Sequence, residues 1–153
     1  MPKTHTRLDR SRSVLWAMFF QSWISITLMS EHSPKPRVLI ADDEKVIADT
    51  LALILNHGGF DARAVYTCQK ALEVAPAFQP DLLISDVLMA DVNGVEAAIK
   101  IRDLVPHIRV FLLSGQAVST ELLAKAKASE LGFEILVKPV HPRDLLARLK
   151  SAA

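Results

Sequence analysis

Two adjacent carboxylates, Asp42 and Asp43, follow directly on the apolar run "RVLIA". Like charges side by side repel and cannot pair with each other, so the arrangement needs an outside partner. A polar residue closing a short apolar run recurs at Asp86 in "DLLISD", at Ser114 in "IRVFLLS" and at Lys138 in "FEILVK". If the three carboxylates meet, each pair at about 5 Å and an effective dielectric near 20 repels by roughly 3 kcal/mol. Lys138 offsets part of this, and a hard divalent cation would offset the rest. Mg2+ suits such a site, because it takes oxygen ligands octahedrally, retains several waters and commonly shares a phosphate oxygen. Asp42 and Asp43 then read as metal ligands. Asp86 reads as a carboxylate nucleophile toward a phosphoryl group. Ser114 and Lys138 could hold the other phosphoryl oxygens by hydrogen bond and charge.

Each residue alone has a plainer role. "DD" after a strand can be a helix cap followed by a first-turn acid. Asp86 can cap a loop, Ser114-Gly115 can be a turn, and Lys138 before Pro139 can be a surface residue. The chemical reading rests on their joint occurrence at the ends of successive strands.

The elements that would position them follow from periodicity. After the strand-like "RVLIA", residues 44–57 carry apolar side chains at Val46, Ile47, Leu51, Ile54 and Leu55, a helical stripe that Gly58-Gly59 ends. "FDARAV" is a second strand, and Thr67 caps a helix that stops before Pro80. "DLLISD" is the third strand. A loop through Asn93-Gly94 leads into a helix with Val95, Ala98, Ile101 and Val105 on one side, which Pro106 breaks. "IRVFLLS" is the fourth strand, residues 119–131 are an Ala- and Leu-rich helix, "FEILVK" is the fifth strand, and a proline-initiated helix runs from Pro142 to Lys150. The strands are continuous apolar runs, as expected when both faces of a sheet are covered. Five strands alternating with five helices imply a doubly wound α/β fold with a parallel sheet. In such sheets ligands bind beyond the carboxyl ends of the strands, where Asp42, Asp43, Asp86, Ser114 and Lys138 converge.

The chain has 153 residues, half of them hydrophobic, and a net charge of +1. Lys3, Arg7, Arg10 and Arg12 against Asp9 give residues 1–28 a net +3, leaving −2 for the remainder. The mildly acidic remainder has no general electrostatic footprint for nucleic acid. A lone Cys68 permits no intrachain disulfide, in keeping with a reducing cytoplasm. It starts a helix and is expected to be a small packed side chain. His5, His32, His57, His107 and His141 show no ligand spacing and read as surface or capping residues.

Residues 1–36 differ from the rest and read as an extension and linker outside the domain at 37–150. The apolar run Val14–Met29 is shorter than the roughly 20 residues a spanning helix needs. No small-x-small cleavage site follows it. Residues 1–28 are expected to come from a start placed too far upstream, since "MSEHSPKPR" from Met29 is an ordinary beginning for a cytoplasmic protein. If they exist in the native chain, Trp16, Phe19, Phe20 and Trp23 behind a basic start fit an interfacial membrane helix, the other alternative being a docking helix for a partner.

The motifs "IADDE", "LLISDVLMADVNG", "FLLSG" and "LVKPV", in this order, resemble a response-regulator receiver domain of two-component signalling over Arg37 to Lys150. The resemblance implies a flavodoxin-like five-stranded sheet in the order 2-1-3-4-5. It implies Asp86 as phosphoacceptor, Asp43 and Asp86 as direct Mg2+ ligands with the backbone carbonyl of Leu88, and Asp42 acting mostly through water. It implies Ser114 as the switch hydroxyl, Lys138 as the phosphate-binding lysine and a cis Lys138–Pro139 bond. The phosphoryl donor would be a histidine of a sensor kinase or phosphotransfer protein. With no effector module after the last helix, the expected output is contact with another protein through residues 117–150. Receivers commonly have proline where Ala90 stands, alanine where Gly115 stands, and Tyr or Phe where Ile135 stands. Phe133 is nearby, and strand parity is expected to keep it from replacing the missing ring. The signal is therefore expected to leave through the loop after strand four. Two other functions fit fewer features. A phosphatase with an aspartyl nucleophile would carry DxD after strand one, whereas DDE stands here. A degenerate receiver acting as a constitutive interaction module would lack some of the five site residues.

Overall fold

A computed structural model describes residues 33–115, 120, 121, 124 and 132–153. The expected helix at 119–131 lies almost wholly outside the described residues. So do the apolar run at 14–29 and the first part of the expected output surface. A compact unit runs from Lys35 to Ala153.

Five parallel strands are present: β1 (Arg37–Ala41), β2 (Asp61–Val65), β3 (Leu82–Asp86), β4 (Arg109–Ser114) and β5 (Glu134–Val137). Their order in the sheet is β2-β1-β3-β4-β5. Among the described residues four helices connect or follow them: α1 (Lys45–His57), α2 (Cys68–Phe78), α3 (Gly94–Leu104) and α4 (Pro142–Ala152).

The continuous apolar runs resolve into two cores because successive strand residues point to opposite faces. Leu39, Leu83, Val110 and Leu112 pack with Ala71, Ala75 and Phe78 of α2 and Val95, Ala98 and Ile101 of α3. Val38, Ile40, Leu82, Ile84, Phe111 and Leu113 pack with Ala48 and Leu55 of α1 and Leu145 and Leu149 of α4. Each fully buried Leu, Ile or Phe contributes roughly 1.5–3 kcal/mol relative to an exposed one. A one-residue slip of a central strand would exchange these two sets.

Helix ends follow local chemistry. Thr67 accepts the Lys70 N–H at 3.0 Å at the start of α2. Pro142 opens α4, and His141 Nδ1 accepts the Arg143 N–H at 3.2 Å, which gives that histidine its expected capping role. The Lys138–Pro139 bond is cis.

The expected face of Phe133 is corrected. Phe133 and Ile135 pack on the same core, the one covered by α2 and α3. Residues two apart along an extended chain share a face, so the aromatic ring that position 135 lacks lies on the same side at 133.

Candidate functional site: an acidic cluster at the carboxyl edge of the sheet

Register brings the site residues together. Ala41 pairs with Ser85, Asp86 with Leu113, and Ser114 with Val137, so all four strands end at one edge. Asp42 follows Ala41 by one residue, and Lys138 follows Val137 by one. Carboxylate oxygens of Asp42, Asp43 and Asp86 lie within 4.8 Å of one another. Asp42 and Asp86 are buried, while Asp43 is exposed.

Lys138 enters this cluster from the end of β5. Its ammonium donates to Asp86 Oδ2 at 2.7 Å and approaches Asp42 Oδ2 at 3.5 Å. Three of the four remaining oxygens take backbone donors. Asp42 Oδ1 accepts the Glu44 N–H at 2.9 Å, Asp86 Oδ1 accepts the Leu88 N–H at 3.2 Å, and Asp43 Oδ2 accepts the Ala90 N–H at 3.2 Å. The plainer reading of "DD" as a helix cap is partly realised, because Asp42 serves the amide of Glu44, the cap residue of α1. Glu44 itself makes no side-chain cap bond.

Burial pushes the Asp42 carboxyl above its ordinary value, and Asp86 adds to this, against the opposing Glu44 amide and Lys138. For Lys138, burial works against the charge, but the bond to Asp86 and the field of Asp42 outweigh it and raise the pKa. One ammonium thus faces three carboxylates, a donor set of hard oxygens with charge left over. Such a set fits a hard divalent cation.

Ser114 is buried at the end of β4, and its hydroxyl donates to the Gly115 carbonyl at 3.3 Å. Leu88, the second residue of the loop after β3, pairs across it with Asn93. At the far end of that loop, Gly94 packs directly on the Asp86 carbonyl, leaving no room for a Cβ. Beside Lys138 opens a cleft of about 460 Å³, lined by Ile47, Leu51, Leu113, Gly115, Pro139 and Val140 among others. The sequence reading missed three participants. Ser85 is buried with its hydroxyl on the Asp86 carbonyl. Ala90 enters through a backbone amide. Asp91 accepts the Cys68 and Gln69 amides across the loop. An amide donor leaves no mark in the sequence, and the signal for Asp91 was only an acid in a loop. Cys68 is a packed side chain as expected, fully buried, with Sγ 3.4 Å from Met89 Sδ and from the Val92 carbonyl.

Among the described residues no helix is long and apolar enough to cross a membrane. Comparison with known proteins gives a consistent result. The transcriptional regulator NtrC of Azospirillum brasilense is 31% identical over 116 residues, 75% of this chain and 24% of that protein. The regulatory protein VanR of Enterococcus faecium is 30% identical over 116 residues, 75% of this chain and 48% of that protein. The matched part therefore spans between a quarter and a half of these relatives. Among solved structures, a CheY-like receiver domain protein of Methanospirillum hungatei aligns with a TM-score of 0.71 at 28% identity, covering 76% of this chain and 92% of that one. CheY4 of Vibrio cholerae, a chemotaxis protein, aligns at 0.68 and 27%, covering 78% and 99%. Residues 38–150 match the family description "response regulator receiver domain". This segment holds the five strands, save Arg37 at the start of β1, and every member of the acidic edge, and the chain belongs to the response regulator receiver domain family.

Proposed function

We propose that this protein is a phospho-acceptor switch whose domain is residues 37–150 and whose acceptor is the Asp86 carboxylate. The observation that carries the reading is the placement of Asp86 at the end of β3, inside a cluster of three carboxylates and 2.7 Å from the Lys138 ammonium. A carboxylate oxygen of Asp86 attacks the phosphorus of a phosphohistidine on a sensor kinase or phosphotransfer protein. A P–O bond forms, the P–N bond breaks, and the imidazole leaves with the electron pair. The Lys138 ammonium faces the negative charge gathered on the phosphoryl oxygens. The Ser114 hydroxyl, at the end of the adjacent strand, would turn from the Gly115 carbonyl to another of these oxygens. Asp43, Asp86 and the backbone carbonyl of Leu88 would hold Mg2+ directly and Asp42 through water. When bound, Mg2+ supplies charge neutralisation between the carboxylates and the incoming group. The protein acts as acceptor and reporter and does not turn over a substrate.

Exposed apolar side chains lie near the site: Val46 and Ile47 at the start of α1 and Leu88 in the loop after β3. Together with Pro139 and Val140 beside the cleft they offer the donor protein an apolar footing around a charged centre. The output is a protein contact altered by phosphorylation.

The test is incubation with a small acyl or amido phosphate donor, with and without Mg2+, and mass mapping of the product. The reading requires Mg2+-dependent labelling of Asp86 and its loss in Asp86→Asn. Equal labelling of that variant at other positions would defeat it. A folded protein that takes up no phosphate would point instead to a constitutive interaction module, and steady release of phosphate from simple esters to a phosphatase.

A further inference from the structure

The loop between β3 and α3 carries the two amides that reach the acidic cluster, those of Leu88 and Ala90. Its base is closed by backbone bonds. The Val87 N–H donates to the Leu113 carbonyl at 3.0 Å and the Gly94 N–H to the Val87 carbonyl at 2.9 Å. Its tip is different, since Ala90, Asp91 and Val92 are exposed. An exposed tip without regular structure has little of its own to hold it.

It is held from the far side by α2. One Asp91 oxygen accepts the Cys68 N–H at 3.2 Å, and the other accepts the Gln69 N–H at 3.1 Å. These are the first two amides of α2, which have no acceptor within the helix. Thr67 serves the third, so the loop and the helix's own cap share its amino end. The negative carboxylate also meets the positive end of the helix. Burial would raise the Asp91 carboxyl, but the Gln69 and Cys68 amides outweigh it and the pKa is lowered.

We propose that Asp91 is a positioning residue for the acidic cluster. By fastening the loop tip to the amino end of α2, it holds the Ala90 N–H on Asp43 Oδ2 and leaves the other Asp43 oxygen for a cation. Asp43 is the exposed member of the cluster and would otherwise be free to rotate about its side-chain torsions. A carboxylate ordered in advance loses less rotamer freedom when it binds. The inference rests on the reading of Asp42, Asp43 and Asp86 as a Mg2+ site.

The experiment is Mg2+ titration of the full chain, followed by calorimetry and by backbone amide resonances, in three variants. Asp91→Ala should move the Ala90 resonance and weaken Mg2+ binding about fivefold. That is below the ~10–100-fold typical of groups bonded to a metal ligand, because Asp91 acts one bond further out. Asp91→Asn keeps one acceptor oxygen without the charge and should recover most of the affinity. Thr67→Ala loosens the same helix end without touching the loop and should bind Mg2+ like the wild type. The proposal fails if Asp91→Ala leaves both affinity and the Ala90 resonance unchanged. It also fails if Asp91→Asn loses as much as Asp91→Ala, which would mean charge alone, or if Thr67→Ala loses as much, which would mean general loosening of α2. If the wild type binds no Mg2+, the metal reading falls, while the Ala90 resonance in Asp91→Ala still decides whether the clasp positions the loop.

Discussion

The Lys138 ammonium and Asp86 Oδ2 are 2.7 Å apart although 52 residues separate them in the chain. The proposed phosphoryl acceptor is therefore already paired with a cation, and the lysine's second carboxylate neighbour, Asp42, is buried. One positive charge thus joins two of the three carboxylates at the edge of the sheet.

Removing that charge should be felt first in stability. Lys138→Ala is expected to lower the unfolding free energy by about 1–2 kcal/mol. This is less than the ~3–5 kcal/mol of a fully buried broken pair, because the lysine side chain keeps 26% exposure. Urea denaturation in chelator measures it. Saturating Mg2+ should restore part of the loss and leave phosphorylation of Asp86 slowed.

Asp42 sets a pH dependence of known sign. Burial, the largest cause, raises its folded-state pKa above the unfolded value. The folded state then holds the proton longer, so stability falls as pH rises from about 4 through the raised value, with a limiting slope of about 1.4 kcal/mol per pH unit. Urea midpoints between pH 4 and 7, without divalent cation, should show this decline. Asp42→Asn should remove its contribution.

Gly94→Ala should be among the most damaging single changes near the site. The added Cβ would overlap the Asp86 carbonyl, which is backbone and cannot swing aside. A loss of about 1–3 kcal/mol, as for overpacked cores, is expected by urea denaturation. Phosphorylation of Asp86 should fall with it.

Cys68 should be inert in the native protein. Burial, followed by the Asp91 charge, pushes its thiol up to about 12, and the side chain is fully buried. A disulfide reagent at pH 8 should react only as fast as the chain opens, and at once in urea. The sign for stability is a loss above about pH 9, where the unfolded thiol ionises and the folded one does not. Cys68→Ala should flatten that part of the profile.

The route out of the site can be tested at Gly115. Among the described residues a Cβ there meets nothing within 4 Å, and its backbone is not in the left-handed region. Gly115→Ala should therefore be stabilising, by about 0.4–1 kcal/mol through the unfolded chain. If the loop after β4 carries the signal, the variant should change the phosphorylation-dependent gain in partner affinity, while Ile135→Ala should not. Since Phe133 shares the face of Ile135, Phe133→Ala is the needed companion. Loss of the gain in that variant alone would place the signal on β5.

Hydrophobic periodicity and strand ends are local properties, and the sequence by itself determined what depends on them: the alternation of elements, the two-faced burial of "RVLIA" and "DLLISD", and the edge at which Asp42, Asp43, Asp86, Ser114 and Lys138 meet. The expected strand and helix limits differ from those observed by a residue or two, as at Phe60, which precedes β2 and packs into the α1 and α4 core. The tertiary structure alone decided which carboxylates Lys138 bridges, that Asp91 reaches the amino end of α2, and that the Ala90 amide turns to Asp43. Those contacts join residues 22 to 96 positions apart through backbone amides and side-chain torsions. No spacing rule encodes them, because they exist only once two crossover helices have packed against the sheet and fixed the distance between their loops.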